Sequence, residues 1–391
     1  MELPIVILKG SRRRLKQGHL WIFRDEIEKP SHELESGSTV RVITDYGYDC
    51  GLGFYHPTSQ IAIRLLRCHD EALTYTFFEN RLREALQLRE RFFPHNSAYR
   101  LCFGESDFLP GLIIDRYNDY FSIQVLSAGM EKNISMIIEA LLHVFPATKG
   151  IIEKNDSRIR DLEGLPRREG IVWGTIEPTV RIEENGILLD VSIEHGQKTG
   201  YFFDQRLNRA AVASISKGLR VLDCFTNQGG FALNAAKAGA LEVVGVDISL
   251  SAIDSSVNNA AINALQNTQF VKDDVFDMLK RKAQSGEKWD MVILDPPAFT
   301  KSKSTIPQAK RGYSDINRQA LKIIEKGGYL VSSSCSHHIS EEMFLSIIQD
   351  EAQRINRRLK LIWRGMQSPD HPILVGMPET EYLKFLIFEV W

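Results

Sequence analysis

The sequence predicts an α/β protein: a doubly wound parallel sheet at the C-terminal end, preceded by a β-rich module and a small α+β module. Three observations carry this. From about residue 217, short apolar runs alternate with helix-length segments. The polar motif residues fall at the ends of those runs, where ligands sit in such sheets. The first seventy residues hold only short strand-like runs separated by Gly and Pro.

A chain of 391 residues is long enough for several cores. Boundaries are placed at 1–72, 73–190 and 191–391. Hydrophobic residues make up 43% and charged residues 25%, which reads as globular throughout. A net charge of −2 confines any nucleic-acid footprint to a local patch. Five cysteines with no close pair argue against a disulfide scaffold or a zinc site, so no metal is expected and a reducing cytoplasm suits the chain. The start reads as neither a signal peptide nor, as nowhere else in the chain, a membrane span.

In the first module Val6–Leu8, Thr39–Ile43, Gly51–Tyr55 and Ile61–Leu66 read as strands. Arg12, Arg13 and Arg14, followed by Trp21 and Phe23, interleave cations with aromatics in a way that suits phosphates and bases. The same residues also read as a solvated turn followed by two core aromatics. A helix begins near Thr76 and stops at Pro94. Tyr120–Leu126 and Gly150–Glu153 are strand candidates, Ile134–Phe145 a helix, and Asn185-Gly186 a hairpin turn. Glu105-Ser-Asp107 reads as turn structure rather than catalysis.

In the last module the predicted strands are Leu219–Leu222, Glu242–Val246, Thr268–Val271, Met291–Leu294 and Tyr329–Ser333. Helices are placed at Phe231–Ala238, Ala252–Leu265 and Asp315–Glu325. Asp223 follows the first strand, and Gly229-Gly230 lets the backbone turn closely round a ligand. Asp247 ends the second strand, placed to accept both hydroxyls of a ribose. Asp274 ends the third, within reach of an adenine amino group. Each acid alone reads as a cap or turn residue. Together with a loop lacking G-x-G-x-x-G spacing, they point to S-adenosylmethionine, with S-adenosylhomocysteine as product, rather than to a dinucleotide.

Asp295-Pro-Pro holds a carboxylate at a fixed height, because the prolines stiffen the strand exit. Ala298 separates Phe299 from the second proline, where amino-methylating enzymes place an aromatic directly. Lys301, Lys303, Lys310 and Arg311 form a basic loop suited to a phosphate backbone. Cys335 ends a further apolar run, followed by His337 and His338. A cysteine so placed is commonly packing. Behind a methyl-donor site it reads as the nucleophile that adds at carbon 6 of a cytosine, making carbon 5 reactive. Only about 3% of a free thiol is ionised at pH 7, so the site must favour thiolate by roughly 2 kcal/mol. Cys50, Cys68, Cys102 and Cys224 read as structural.

Asp223-Cys-Phe-Thr-Asn-Gln-Gly-Gly-Phe231, Leu294-Asp-Pro-Pro-Ala-Phe-Thr-Lys-Ser302, Ser334-Cys-Ser-His-His338 and Gly196–Arg206 resemble the motifs of the RlmI-like large-subunit rRNA cytosine-C5 methyltransferases, over essentially the whole chain. The resemblance implies an N-terminal PUA-like RNA-binding domain, a central α+β domain, a C-terminal Rossmann-like class I methyltransferase domain and a homodimer acting on large-subunit rRNA. It assigns the cofactor to Lys198, Thr199, Asp223, Phe225, Thr226, Asn227, Gly229, Asp247, Ile248, Asp274 and Val275, and the thiol role to Cys335. Phe299, Lys301, Lys303 and Arg12–Arg14 would face the RNA. Many RNA cytosine-C5 enzymes carry a second cysteine beside this proline; here Ala298 stands there, and Asp295 is the candidate proton acceptor. Two readings compete: a guanine-N7 or amino-group rRNA methyltransferase without thiol catalysis, and a non-catalytic RNA-binding assembly factor. Hydride transfer fits least, because the glycine spacing is wrong.

Overall fold

The computed structural model describes residues 3–9, 13–69, 72–196, 199–300 and 302–391. These form two compact units. The first runs to Ile182 and adds Val191–Phe203 and Pro369–Thr380. The second comprises Glu183–Asp190, Asp204–Ser368 and Glu381–Trp391.

The first unit holds two five-stranded sheets. In one, Ile5–Leu8, Ser38–Thr44, Asp49–Tyr55, Ile61–Leu65 and Trp21–Phe23 pair in that order. In the other, the order is Arg168–Gly174, Gly150–Asn155, Tyr120–Val125, Leu112–Tyr117, Ala98–Phe103. Its single parallel pair, Tyr120–Val125 with Gly150–Asn155, is joined through the helix Ile134–Val144, because parallel strands need a crossover. The two sheets share apolar packing: Leu52, Phe54 and Leu66 lie in one core with Tyr99, Leu112 and Ile137.

Polar anchors reinforce this core. Glu105 accepts from the Trp21 indole at 2.8 Å and from Arg64 at 3.0 Å, and Arg64 also pairs with Glu163 at 2.9 Å. Asp107 pairs with the buried Arg89 through both carboxylate oxygens. Removing one partner of such a buried pair costs about 3–5 kcal/mol. The turn Glu105-Ser-Asp107 therefore does structural work.

The second unit is built on a seven-stranded sheet. Its strands are β1 (Arg220–Cys224), β2 (Glu242–Asp247), β3 (Thr268–Lys272), β4 (Trp289–Leu294), β5 (Ile324–Ser334), β6 (Leu359–Gly365) and β7 (Lys384–Val390). Their order is β3-β2-β1-β4-β5-β7-β6. The first five are parallel, so their carboxyl ends share one edge; β7 runs antiparallel and begins there. The helices are α1 (Arg206–Ile215), α2 (Gly230–Lys237), α3 (Leu250–Ile262), α4 (Val275–Ser285), α5 (Ile306–Ile323) and α6 (Glu341–Arg354). Strand residues alternate between two cores. Leu222, Val292 and Leu330 pack with α4, α5 and α6, while Val221, Ile293 and Val331 pack with α1 and α2. Burial on both faces is what produces the near-continuous apolar runs in the sequence.

This is the class I methyltransferase architecture expected. The sequence named no element after Ser333, yet β6, β7 and α6 complete the unit. Strand β7 (Lys-Phe-Leu-Ile-Phe-Glu-Val) is a continuous apolar run that periodicity alone does not separate from a helix. In β6 an irregularity between Leu361 and Trp363 breaks the two-residue alternation. Helix α5 starts earlier than predicted, with Pro307 in its first turn, where a missing amide donor costs nothing.

Candidate active site

The loop after β1 folds tightly. Phe225, Asn227 and Gly229 all have positive φ, at 63°, 50° and 82°. Asp223 is fully buried at its base. Its Oδ2 accepts from Thr226 Oγ1 at 2.6 Å and from the Ala232 amide at 3.0 Å, while Oδ1 has no hydrogen-bond partner. Burial raises its pKa to about 7, against the pull of those two hydrogen bonds. Asp247 closes the loop from β2: its Oδ2 accepts from the Asn227 amide at 3.0 Å and its Oδ1 from the Ser249 amide at 2.9 Å. Beside it Ile248 is 65% exposed, an apolar face turned to solvent.

Asp274 caps α4 by accepting from the Asp277 amide at 3.2 Å, and Val275 is buried in the core. Thr199 is buried in the first unit, where its hydroxyl accepts from Arg100 at 3.4 Å and its carbonyl from Tyr117 at 3.2 Å. Lys198 lies outside the described residues, as do Lys301 and Arg12.

At the end of β4, Oδ1 of Asp295 accepts from Gln205 Nε2 at 2.9 Å and from Ser333 Oγ. Gln205 is itself held by Asn208, whose amide donates to Gln205 Oε1 at 2.7 Å. Desolvation raises Asp295 to about 6, opposed by the Ser333 hydrogen bond. The thiol of Cys335 lies 3.9 Å from the carbonyl of Pro296, directly after Asp295. Parallel pairing of β4 with β5 brings these two strand ends together.

Tyr313 on α5 fixes the thiol turn. Its hydroxyl accepts from Ser334 Oγ at 2.8 Å and bonds Ser336 Oγ at 2.9 Å, the residues flanking Cys335. Phe299 is half-buried, 4.6 Å from the Tyr313 ring, and its amide donates to Ser336 Oγ at 3.1 Å. Through Phe276 the aromatic contacts extend to Phe225 in the β1 loop. In the turn after the thiol, His337 is exposed and His338 half-buried. Lys303, Lys310 and Arg311 are exposed near the start of α5. In the first unit Arg13 and Arg14 sit on an exposed turn of helix, with Arg14 paired to Glu26 at 2.6 Å and lying over Phe23.

A loop lined with carboxylates repels a diphosphate and suits a ligand carrying cationic groups and ribose hydroxyls. A family model for S-adenosylmethionine-dependent methyltransferases matches residues 168–388, and one for PUA-like domains matches residues 5–67. Over 394 aligned residues the chain is 40% identical to the ribosomal RNA large subunit methyltransferase I of Aeromonas hydrophila, covering 99% of both chains. The chain belongs to the ribosomal RNA large subunit methyltransferase I family. The family member of Aliivibrio fischeri is 39% identical, with 98% of each chain covered. A provisionally assigned methyltransferase solved with S-adenosylhomocysteine superposes with a TM-score of 0.85 over 100% of both chains at 24% identity, a likeness of fold.

S-adenosylmethionine is accordingly the cofactor of this methyltransferase, and the β1 loop fits it: the unpartnered Asp223 oxygen is an acceptor held for a donor. Asp223, Asp247 and the loop between them would hold it. Sequence reasoning missed Gln205, Ser333, Tyr313 and Lys384. Gln205 lay inside the Gly196–Arg206 segment, and Ser333 inside the run leading to Cys335. Tyr313 and Lys384 carried no local signal. Among the described residues no group of side chains suits a metal ion, and no helix is long and apolar enough to cross a membrane.

Proposed function

We propose that this methyltransferase modifies carbon 5 of a cytidine in large-subunit rRNA, with Cys335 as the covalent nucleophile. The rRNA substrate is taken from the names of the full-length relatives and from the PUA-like domain. One observation carries the chemistry: the Cys335 thiol lies 3.9 Å from the carbonyl of Pro296, the residue after the Asp295 carboxyl, at adjacent strand ends beside the β1 loop.

The bound cofactor supplies an electrophilic methyl group. Every other task falls to the chain. Cys335 adds as thiolate to carbon 6, which turns carbon 5 into an enamine carbon able to take a methyl group. Loss of the carbon 5 proton then restores the ring and expels the thiolate. Asp295, with a pKa near 6, is suited to accept that proton close to neutral pH. The base would be unstacked into the site at a cost of a few kcal/mol, and Phe299 offers it an aromatic face. The exposed cations Lys303, Arg13 and Arg14, together with Lys301, Arg12 and Lys198 in their expected roles, would hold RNA phosphates or cofactor.

The test is a methyl-transfer assay on large-subunit rRNA from cells lacking the protein, read by mass spectrometry of nucleosides. 5-Methylcytidine supports the proposal. A methylated guanosine, or a methyl group on an exocyclic amine, replaces it with the thiol-independent reading.

A further inference from the structure

Lys384 opens β7, and the strand register sets it opposite Ser334, the residue before Cys335. Its side chain is buried. Nζ donates to the carbonyl of Ser336, the residue after Cys335, at 2.8 Å and to the carbonyl of Tyr382 at 2.7 Å. The ammonium therefore reaches across the short turn that carries the thiol. An ammonium has three N–H donors, and these two bonds use two. Among the described residues Lys384 makes no ion pair with a carboxylate. A buried charge without a counter-ion is costly, so the arrangement calls for an anion at the turn.

The groups facing that turn narrow the choice. Tyr313 on α5 is pushed up to about 12 by burial and stays neutral. Asp295 at the end of β4, raised to about 6 by burial, is an acid and supplies no positive charge. His337 and His338 belong to the thiol's own loop, with His337 exposed to solvent. Burial lowers Lys384 to about 8; the largest opposing influence is Cys335, followed by Glu381 and Glu341. Among these described groups, Lys384 is the buried cation.

We propose that Lys384 is the counter-ion that holds Cys335 as a thiolate. The inference rests on the nucleophilic role of Cys335, and it makes Lys384 a positioning residue that acts through the thiol.

The experiment measures the rate at which iodoacetamide alkylates Cys335 between about pH 5 and pH 10 in the full-length protein. Mass spectrometry assigns the modified cysteine. The wild-type midpoint should lie below the free-thiol value of about 8.5. In Lys384→Gln, which keeps donors but loses the charge, the midpoint should rise by about one unit or more, lowering alkylation at pH 7 about tenfold. Lys384→Arg should titrate close to wild type. An unmoved midpoint in Lys384→Gln overturns the proposal, and so does a wild-type midpoint at or above the free-thiol value, which needs no variant to fold. Activity of Cys335→Ala separates the two ideas. If that variant still methylates, the nucleophile reading fails whatever the midpoints; if it is inactive and the midpoints coincide, the counter-ion alone fails.

Discussion

The side-chain amide of Gln205 donates to Oδ1 of Asp295 across 2.9 Å, and the Ser333 hydroxyl donates to the same oxygen. Two donors on one oxygen fix the plane of the carboxyl. A proton acceptor held this way does not spend rotational freedom at each turnover.

Gln205→Leu should therefore lower kcat by about 10–100-fold, with S-adenosylhomocysteine affinity changed less than about twofold. Losing a hydrogen bond to the charged form also raises the Asp295 pKa above its present value near 6. The acidic limb of the pH–rate profile should then shift upward. Single-turnover rates across pH check both effects, and an unchanged profile contradicts the base role.

Tyr313→Phe removes the hydroxyl shared by Ser334 and Ser336 while keeping the ring against Phe299. Ser336 retains the Phe299 amide, but Ser334 is left buried with a weaker set of partners. Denaturant unfolding should show a loss of about 1–3 kcal/mol. If the turn positions the thiol, methylation should fall further than this stability loss explains.

Asp223 gives a pH dependence whose sign follows from its raised pKa. Between the unfolded value of 3.8 and about 7, the folded protein holds a proton that the unfolded chain has released. This group's contribution to stability is therefore present at low pH and lost as pH rises through about 7. A cationic ligand at its unpartnered oxygen favours the ionised form. Cofactor affinity should weaken as pH drops below about 7, by up to tenfold per unit, with proton release on binding. Calorimetry in buffers of different ionisation enthalpy measures this; pH-independent binding contradicts it.

Asp274 serves visibly as the cap of α4, and the cofactor role proposed for it is separable. Asp274→Ala should cost about 1 kcal/mol of stability. Asp274→Ser keeps a cap, so any loss of cofactor affinity in that variant isolates a ligand contact. Wild-type affinity in both variants would leave Asp274 a cap alone.

What the sequence made legible was local. Asp223, Asp247 and Asp295 each follow an apolar run that burial on both sheet faces imposes, and Cys335 does the same on β5, so their places at one sheet edge could be read directly. The supporting residues could not. Gln205 stands 90 positions from Asp295, Lys384 stands 48 from Ser336, one of the two residues whose carbonyls it binds, and Tyr313 reaches Ser334 across 21. Those meetings depend on sheet order and register, above all on β7 entering antiparallel beside β5, which no short-range pattern encodes. Trp21 shows the same limit: its basic neighbours read either as an RNA contact or as a turn before core aromatics, and its indole bond to Glu105, 84 positions away, was legible in neither segment.

The most direct test of the covalent mechanism replaces the departing proton. In large-subunit rRNA transcribed with 5-fluorocytidine, carbon 5 carries fluorine, which cannot leave as a proton, so the thiol adduct persists after methylation. With S-adenosylmethionine present, wild-type protein should form a denaturant-resistant complex with this RNA, cross-linked at Cys335, and Cys335→Ala should form none. No complex with wild type, or an equal yield with Cys335→Ala, would contradict the account.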